Sequence, residues 1–154
     1  NSVQSAVLKA TCAMPLLFPV FHIDGQPYLD GGCADPIPWR RALDKGCDRL
    51  LVVLTRERDY VRRPEKSDRL IRRRYRQYPN FLDTMRRRAD AYNENRARLF
   101  ELEREGRAVV IAPASTKGYS RTEKDAEKIR ALWQDGYFQG SAAAPRLAEF
   151  WGGE

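Results

Sequence analysis

The chain has 154 residues, about the size of one ordinary domain, and hydrophobic residues make up 42% of it, which supports a folded core. Charged residues make up 32%, and the net charge is +7. No apolar run approaches the ~18 residues of a membrane-spanning helix. The composition therefore excludes such a helix and predicts a folded protein with a very polar surface.

The first half of the chain predicts an α/β protein. Residues 2–10 suit a short helix, and residues 20–24 and 26–30 suit two strands. Asp24-Gly25 is the turn between these strands or just before the second. Residues 38–46 suit a second helix. The run RLLVVLT (49–55) predicts a strand that is buried on both faces, as in a parallel sheet.

The second half predicts further helices and one more strand. Asn80 is a suitable cap for a long helix that ends at Gly106, and AVVIAP (108–113) predicts a second buried strand. The last helix is expected to bury one stripe of apolar side chains: Ala126, Ile129, Trp133 and Tyr137.

Three cysteines (Cys12, Cys33 and Cys47) and a single histidine, His22, limit the chemistry. An odd number of cysteines without zinc-ligand spacing favours buried thiols in a reducing compartment over disulfides or a metal site. We therefore expect a cytoplasmic protein without metal or cofactor. One histidine does not by itself form a Ser-His-Asp triad, and we interpret His22 as a strand-face residue.

Positive charge is concentrated in two segments, residues 56–76 and 85–98. Such segments attract the phosphates of nucleic acid or of anionic lipid. The plainer interpretation is a solvated helix face on which arginines pair with acidic residues. The arginine and tyrosine pattern matches no nucleic-acid-binding motif, so nucleic acid is the less favoured partner.

Asp30 ends a predicted strand and is followed directly by Gly31 and Gly32. Glycines allow positive φ and let another backbone or a substrate approach closely. A carboxylate held at such a turn is a usable general base, although the local features alone favour a plain turn.

The surrounding residues carry a family resemblance. Residues 9–38, KATCAMPLLFPVFHIDGQPYLDGGCADPIP, resemble the stretch around the catalytic aspartate of patatin-like phospholipases. The shared features are the small-residue helix end ATCAMP (10–15), the strand pair, the YLDGG motif (28–32) and the Asp-Pro turn after it. The resemblance is strong over residues 5–56.

The resemblance implies the C-terminal part of a patatin-like α/β/α sandwich with a mainly parallel sheet. Residues 1–57 would finish this catalytic domain, and residues 58–154 would form a basic, helix-rich α/β extension like that of some bacterial members. The implied activity is hydrolysis of lipid acyl esters by a Ser-Asp dyad, with Asp30 as the base and Gly31 and Gly32 completing the motif.

The family's oxyanion stretch and Gly-x-Ser-x-Gly nucleophile lie upstream of its aspartate. Ser2 and Ser5 are the serines that precede Asp30 here, and neither has that context. We therefore expect the nucleophile upstream of this chain and the chain alone to be inactive. The implied partners are an acyl-ester substrate and an anionic membrane surface, touched peripherally through the arginine-rich segments.

The alternative is a basic module without enzymatic activity that binds nucleic acid or a protein partner. In that case Asp30-Gly31-Gly32 is simple turn chemistry.

Overall fold

The computed structural model describes residues 2–64, 67–120 and 122–152, and it shows a mixed α/β protein. In chain order the elements are α1 (Ser2–Thr11), β1 (Phe21–Ile23), β2 (Gln26–Tyr28), a 3-10 turn (Gly31–Cys33), α2 (Trp39–Asp44), β3 (Leu50–Val53), α3 (Asp68–Arg74), α4 (Pro79–Arg104), β4 (Ala108–Ile111) and α5 (Ala126–Gly152). The strands form two small sheets, one antiparallel and one parallel. The α/β class is confirmed, and the α/β/α sandwich stays a prediction.

Two compact units make up the chain, and each combines two separate stretches of sequence. Unit 1 consists of Asn1–Pro38 and Arg62–Arg96, and unit 2 consists of Trp39–Val61 and Ala97–Glu154. Each unit therefore contains residues from both sides of position 57. The division into residues 1–57 and 58–154 stays a prediction.

The hairpin of unit 1 follows the predicted turn chemistry. β1 and β2 pair antiparallel, from Phe21↔Tyr28 to Ile23↔Gln26. Asp24 and Gly25 join them with φ values of 51° and 74°. Positive φ at both central residues gives a turn whose twist matches that of the strands, so the Asp24-Gly25 prediction is confirmed.

The core of unit 1 lies between the turn after β2 and the helices α3 and α4. Tyr75 on the C-terminal side of α3 is 1% exposed, and its hydroxyl accepts a hydrogen bond of 2.9 Å from the N–H of Leu16. The Phe81 ring meets the Tyr75 ring edge-on at 5.0 Å. Four buried residues and five partly buried ones form this cluster: Cys33, Ile71, Tyr75, Met85, and Val20, Leu29, Tyr78, Phe81, Leu82.

The long helix α4 begins two residues earlier than a cap at Asn80 would give. Pro79 occupies the first position, where a missing N–H is harmless, so Asn80 lies inside the helix and the prediction that it caps the helix is wrong. One side of the helix is apolar, with Met85, Ala89, Tyr92 and Leu99 buried and Leu82 partly buried. Gly106 follows the helix with a φ of 71°, as expected for a helix stop.

The sheet of unit 2 is parallel, as predicted, with register from Leu50↔Ala108 to Val53↔Ile111. β4 is buried, but the prediction that β3 is buried on both faces is wrong. Leu51 is 45% exposed and Val53 is 67% exposed. The reason is that the sheet has two strands within the described residues, and one face of β3 is left uncovered.

The last helix, α5, packs against β4 with a different face from the one predicted. Ala143 is buried on the packed face. The predicted stripe lies on an adjacent face and is exposed, by 50% at Ile129, 67% at Trp133 and 69% at Tyr137. Trp133 and Tyr137 stack on each other there at 5.8 Å. None of the described helices is long and apolar enough to cross a membrane.

A buried carboxylate ties together the loops that follow β3 and β4 in unit 2. Glu57 is 8% exposed, and its Oε2 accepts hydrogen bonds from the N–H of Thr116 at 2.9 Å and from the Thr116 hydroxyl. Nη1 of Arg56 donates to the same hydroxyl at 2.9 Å. The bond from the Thr116 hydroxyl lowers the pKa of Glu57 and outweighs burial, which acts in the opposite direction.

Replacing Glu57 by Gln should lower the free energy of unfolding by about 1–3 kcal/mol near neutral pH, because Thr116 loses a charged acceptor. The pKa of Glu57 in the folded state lies below its ordinary value of 4.5. Its charge therefore stabilises the fold fully above that value, and this contribution is lost as the pH falls through the folded-state pKa. Urea unfolding across this range measures the difference between the two proteins, which should shrink in acid.

The control is Asp59→Asn, which removes an exposed carboxylate from the same loop. If Glu57→Gln lowered the free energy of unfolding by the same amount in acid as at neutral pH, that result would contradict the assignment of a lowered pKa to Glu57.

Candidate functional site

Asp30 lies in unit 1 between β2 and the 3-10 turn, and it is half-buried. Its N–H donates to the carbonyl of Ala13 at 3.0 Å, and its own carbonyl accepts from the N–H of Cys33 at 3.0 Å. Its carboxylate oxygen Oδ1 accepts a hydrogen bond of 2.7 Å from the N–H of Gly32. The backbone and one carboxylate oxygen of Asp30 are thus held in place.

The other carboxylate oxygen, Oδ2, makes no hydrogen bond or ion pair with residues 2–64, 67–120 or 122–152. A carboxylate oxygen without a hydrogen-bond partner can accept a proton from a group within reach, as a general base does. The bond from Gly32 to Oδ1 is also that of an ordinary Asx turn. The local geometry therefore fits both interpretations of the motif.

Gly31 and Gly32 lie so close to neighbouring side chains that a Cβ atom would not fit easily at either position. Neither Gly31 nor Gly32 has positive φ, so the expectation of left-handed backbone at these positions is wrong. A Cβ on Gly32 would lie 2.9 Å from Oδ1 of Asp30, and a Cβ on Gly31 would lie 3.0 Å from Oγ1 of Thr11. The close neighbours of both glycines are therefore side chains of the chain itself, and the approach of another backbone or a substrate stays a prediction.

A residue that the sequence did not single out also holds the motif. Arg88 on α4 donates to the carbonyl of Gly32 from Nε at 3.2 Å and from Nη2 at 2.9 Å. It is the third of three consecutive arginines, Arg86 to Arg88. Only its helical spacing from the buried Met85 and Tyr92 could have indicated that it faces the interior.

The other candidate side chains are placed differently. His22 is exposed on β1, in agreement with a strand-face role. All three cysteines are free thiols, but only Cys33 is buried, so the prediction of buried thiols is wrong for Cys12 and Cys47. Ser5 is exposed on α1. Across the described part of the chain, no three His, Cys, Asp or Glu side chains are grouped to hold a metal ion.

Two cavities in unit 1 adjoin the motif. One, of about 310 Å³, is lined by eight residues that are mainly apolar: Val20, Pro27, Leu29, Gln77, Tyr78, Pro79, Asn80 and Phe81. The other, of about 490 Å³, is more polar, and Cys33, Arg87, Arg88 and Glu94 are among its lining residues. The residues on either side of the Asp-Gly-Gly motif thus line two pockets of different chemistry.

Comparisons with known proteins give two matches, both to families. The model of the patatin-like phospholipase family matches residues 2–43, and that of a domain of unknown function (DUF6363) matches residues 78–152. No curated protein matches the chain. The resemblance to patatin-like phospholipases is confirmed over this short N-terminal stretch, and it relates the chain to lipid hydrolases. Asp30 lies within the first match and Arg88 within the second.

Replacing Gly32 by Ala should displace the Asp30 carboxylate, because the new Cβ would meet Oδ1. Loss of a hydrogen bond to a charged group should lower the free energy of unfolding by about 1–3 kcal/mol. Gly136→Ala is the matched control, because Gly136 lies inside α5 with nothing within 4 Å of the new Cβ. That variant should be neutral or more stable by up to about 1 kcal/mol. Thermal unfolding measures the stability of both variants. Equal stabilities for Gly32→Ala and Gly136→Ala would contradict this assignment.

Proposed function

We propose that this chain supplies the base of a Ser-Asp dyad in a lipid acyl-ester hydrolase, and that Asp30 is that base. One observation carries the proposal. Within the stretch that matches patatin-like phospholipases, the Gly32 N–H holds one carboxylate oxygen of Asp30, and the other has no hydrogen-bond partner among the described residues. A carboxylate oriented in this way can accept a hydroxyl proton without a histidine between them.

In the proposed reaction Oδ2 of Asp30 takes the proton of a serine hydroxyl while the serine oxygen forms a bond to the ester carbonyl carbon. When the tetrahedral intermediate collapses, the bond to the leaving alcohol breaks and Asp30 returns the proton to that alcohol. Water then attacks the acyl-serine and gives a proton to Asp30. Asp30 passes this proton to the departing serine, and the carboxylic acid product is released.

The serine and the oxyanion donors are proposed to lie upstream of Asn1. The stretch before Asp30 has no Gly-x-Ser-x-Gly sequence, and Ser5 is on the exposed side of α1. The chain alone is accordingly proposed to be inactive, because without a nucleophile the open carboxylate oxygen has no proton to accept.

The proposed substrate is an acyl ester of a lipid. Leu29 lines the mainly apolar cavity and is the chain neighbour of Asp30. A cavity of about 310 Å³ has the size of a small-molecule pocket and suits part of an acyl chain. Its apolar lining is better matched to hydrocarbon than to the charged substrates that the basic surface alone would suggest.

Peripheral contact with anionic lipid is proposed for the arginines of α3 and the residues after it. Arg69, Arg73 and Arg76 are exposed and have no ion pair among the described residues. Arg72 instead pairs with Asp68 at 2.8 Å. The charges of the first three are therefore available to a phosphate surface.

These same arginines also favour the second candidate function, a basic module without enzymatic activity. Such a module would bind DNA or RNA with affinity that falls steeply as salt is added. Asp30 would then have no role in any measurable activity, and its bond from Gly32 would be turn chemistry alone.

Asp30→Asn should lower kcat for short-chain acyl esters by about 100- to 10,000-fold, the usual contribution of a general base. The measurement requires a protein that joins this chain to the upstream segment carrying the serine. Asn keeps an oxygen to accept the Gly32 N–H but accepts no proton, so the fold should persist. Asp35→Asn, at an exposed carboxylate in the following turn, should retain full turnover. Unchanged turnover in Asp30→Asn would remove Asp30 from the mechanism.

Replacing Arg69, Arg73 and Arg76 together by Gln should weaken binding to vesicles that contain anionic lipid by about 100-fold, since each charge contributes ~1 kcal/mol near such a surface. The control replaces three other exposed arginines, Arg104, Arg107 and Arg130, and changes the net charge equally. Co-sedimentation with vesicles of graded anionic content measures both variants. Binding that does not depend on the anionic lipid content of the vesicles would count against the membrane role.

A further inference from the structure

We propose that Arg88 is a positioning residue for the candidate base, and that it acts by fixing the peptide group that follows Gly32. This inference rests on the proposed function of Asp30 and adds to it a residue from the other family match. The residues involved, Asp30, Gly32, Cys33 and Arg88, all belong to unit 1.

The hydrogen bonds form a continuous path from Arg88 to Asp30. The Arg88 guanidinium donates twice to the carbonyl of Gly32, from Nε at 3.2 Å and from Nη2 at 2.9 Å. The N–H of the same peptide group, which belongs to Cys33, donates to the carbonyl of Asp30 at 3.0 Å. The preceding peptide group gives the Gly32 N–H to Oδ1 of Asp30 at 2.7 Å. Two successive peptide groups therefore hold Asp30, and Arg88 holds one of them directly.

The motif needs such an external anchor because of its composition. Two consecutive glycines have the largest backbone freedom of any residue pair. Neither offers a side chain that could pack and hold the turn. A charged donor that binds a carbonyl twice restricts rotation about the Gly32 backbone, and it polarises the peptide group whose N–H bonds to Asp30.

The helix that carries Arg88 is itself fixed against the same turn. Met85, one turn earlier on α4, is buried in the cluster that contains Cys33. Ala89 and Tyr92 on the same side of the helix are also buried. The backbone at Arg88 is thus rigid, and its side chain reaches the motif from a fixed point, as a positioning group requires.

The adjacent arginine provides a matched comparison. Arg87 has a side chain that is 72% exposed and forms an ion pair with Asp83 on its own helix. It has the same charge and the same helical context, but within the described residues no hydrogen bond connects it with the Asp-Gly-Gly motif. A substitution at Arg87 therefore changes the charge of α4 without disturbing the path to Asp30.

The activity test uses the protein that joins this chain to its upstream serine segment. Arg88→Gln should lower kcat by about 10- to 100-fold, as expected when a reacting group is misplaced, with KM little changed. Arg88→Lys, which retains the charge and a donor, should recover part of the loss, and Arg87→Gln should match the parent protein. Parent-like kcat in Arg88→Gln would overturn the inference.

A double variant separates positioning from general structural damage. In an Asp30→Asn background, Arg88→Gln should cause no further loss of the residual activity, because Arg88 acts through Asp30. A further loss as large as in the parent would overturn the inference. If Asp30→Asn alone kept full turnover, the proposed function itself would fail, and that result is distinct from any outcome at Arg88.

The 154-residue chain gives an independent readout that needs no activity. Amide NMR should show that Arg88→Gln shifts the Gly32 and Cys33 resonances and speeds their hydrogen exchange, with a smaller change for Arg88→Lys and none for Arg87→Gln. Unchanged Gly32 and Cys33 amides in Arg88→Gln would overturn the inference whatever the activity assays gave.

Discussion

Two peptide groups meet at Gly32, and their hydrogen bonds connect the candidate base to a helix that begins almost fifty residues later in the chain. The Gly32 N–H reaches the Asp30 carboxylate, and the Gly32 carbonyl receives the Arg88 guanidinium. Since glycine contributes no side chain to a core, the order of this turn has to come from its neighbours. Cys33 supplies part of it by packing with Ile71, Tyr75 and Met85. The Asp-Gly-Gly motif is therefore a local sequence whose geometry depends on distant residues.

The relation between the two family matches follows from this dependence. Asp30 lies in the stretch similar to patatin-like phospholipases, whereas Arg88 lies in the stretch that matches a domain of unknown function. Met85, in the second stretch, shares a buried cluster with Cys33 in the first. In unit 1 the residues of the C-terminal match thus support the motif of the N-terminal match. The packing of Met85 against Cys33 is consistent with a C-terminal extension that helps to hold the proposed base, in addition to any contact with a membrane.

The features that sequence could predict are those that local chemistry determines. The Asp24-Gly25 turn, the helix stop at Gly106 and the buried strand β4 depend on backbone preferences or on a simple apolar pattern. Whether a face of β3 or the Trp133 side chain on α5 is buried depends on which other elements cover it, and both are exposed here. An apolar run in the sequence does not show whether one face or both faces will be covered. The role of Arg88 could not be predicted for a related reason. Its partner is the backbone carbonyl of Gly32, and the spacing of side chains in the sequence does not indicate such a bond. Asp30 was found through the resemblance of its neighbours, because its own turn geometry suits two interpretations.

Each unit combines two separate stretches of sequence, and this affects the order in which the parts of the protein can fold. A ribosome completes the segment 1–38 well before residues 62–96, which finish unit 1. At ordinary rates of synthesis the Asp-Gly-Gly turn therefore exists for several seconds without the helix that anchors it. The parallel pairing of β3 with β4 waits longer still, until Ala108 to Ile111 have left the ribosome. Such distant pairings make folding slow, and the thiol of Cys33 and the apolar residues around it stay open to solvent until the chain returns to cover them.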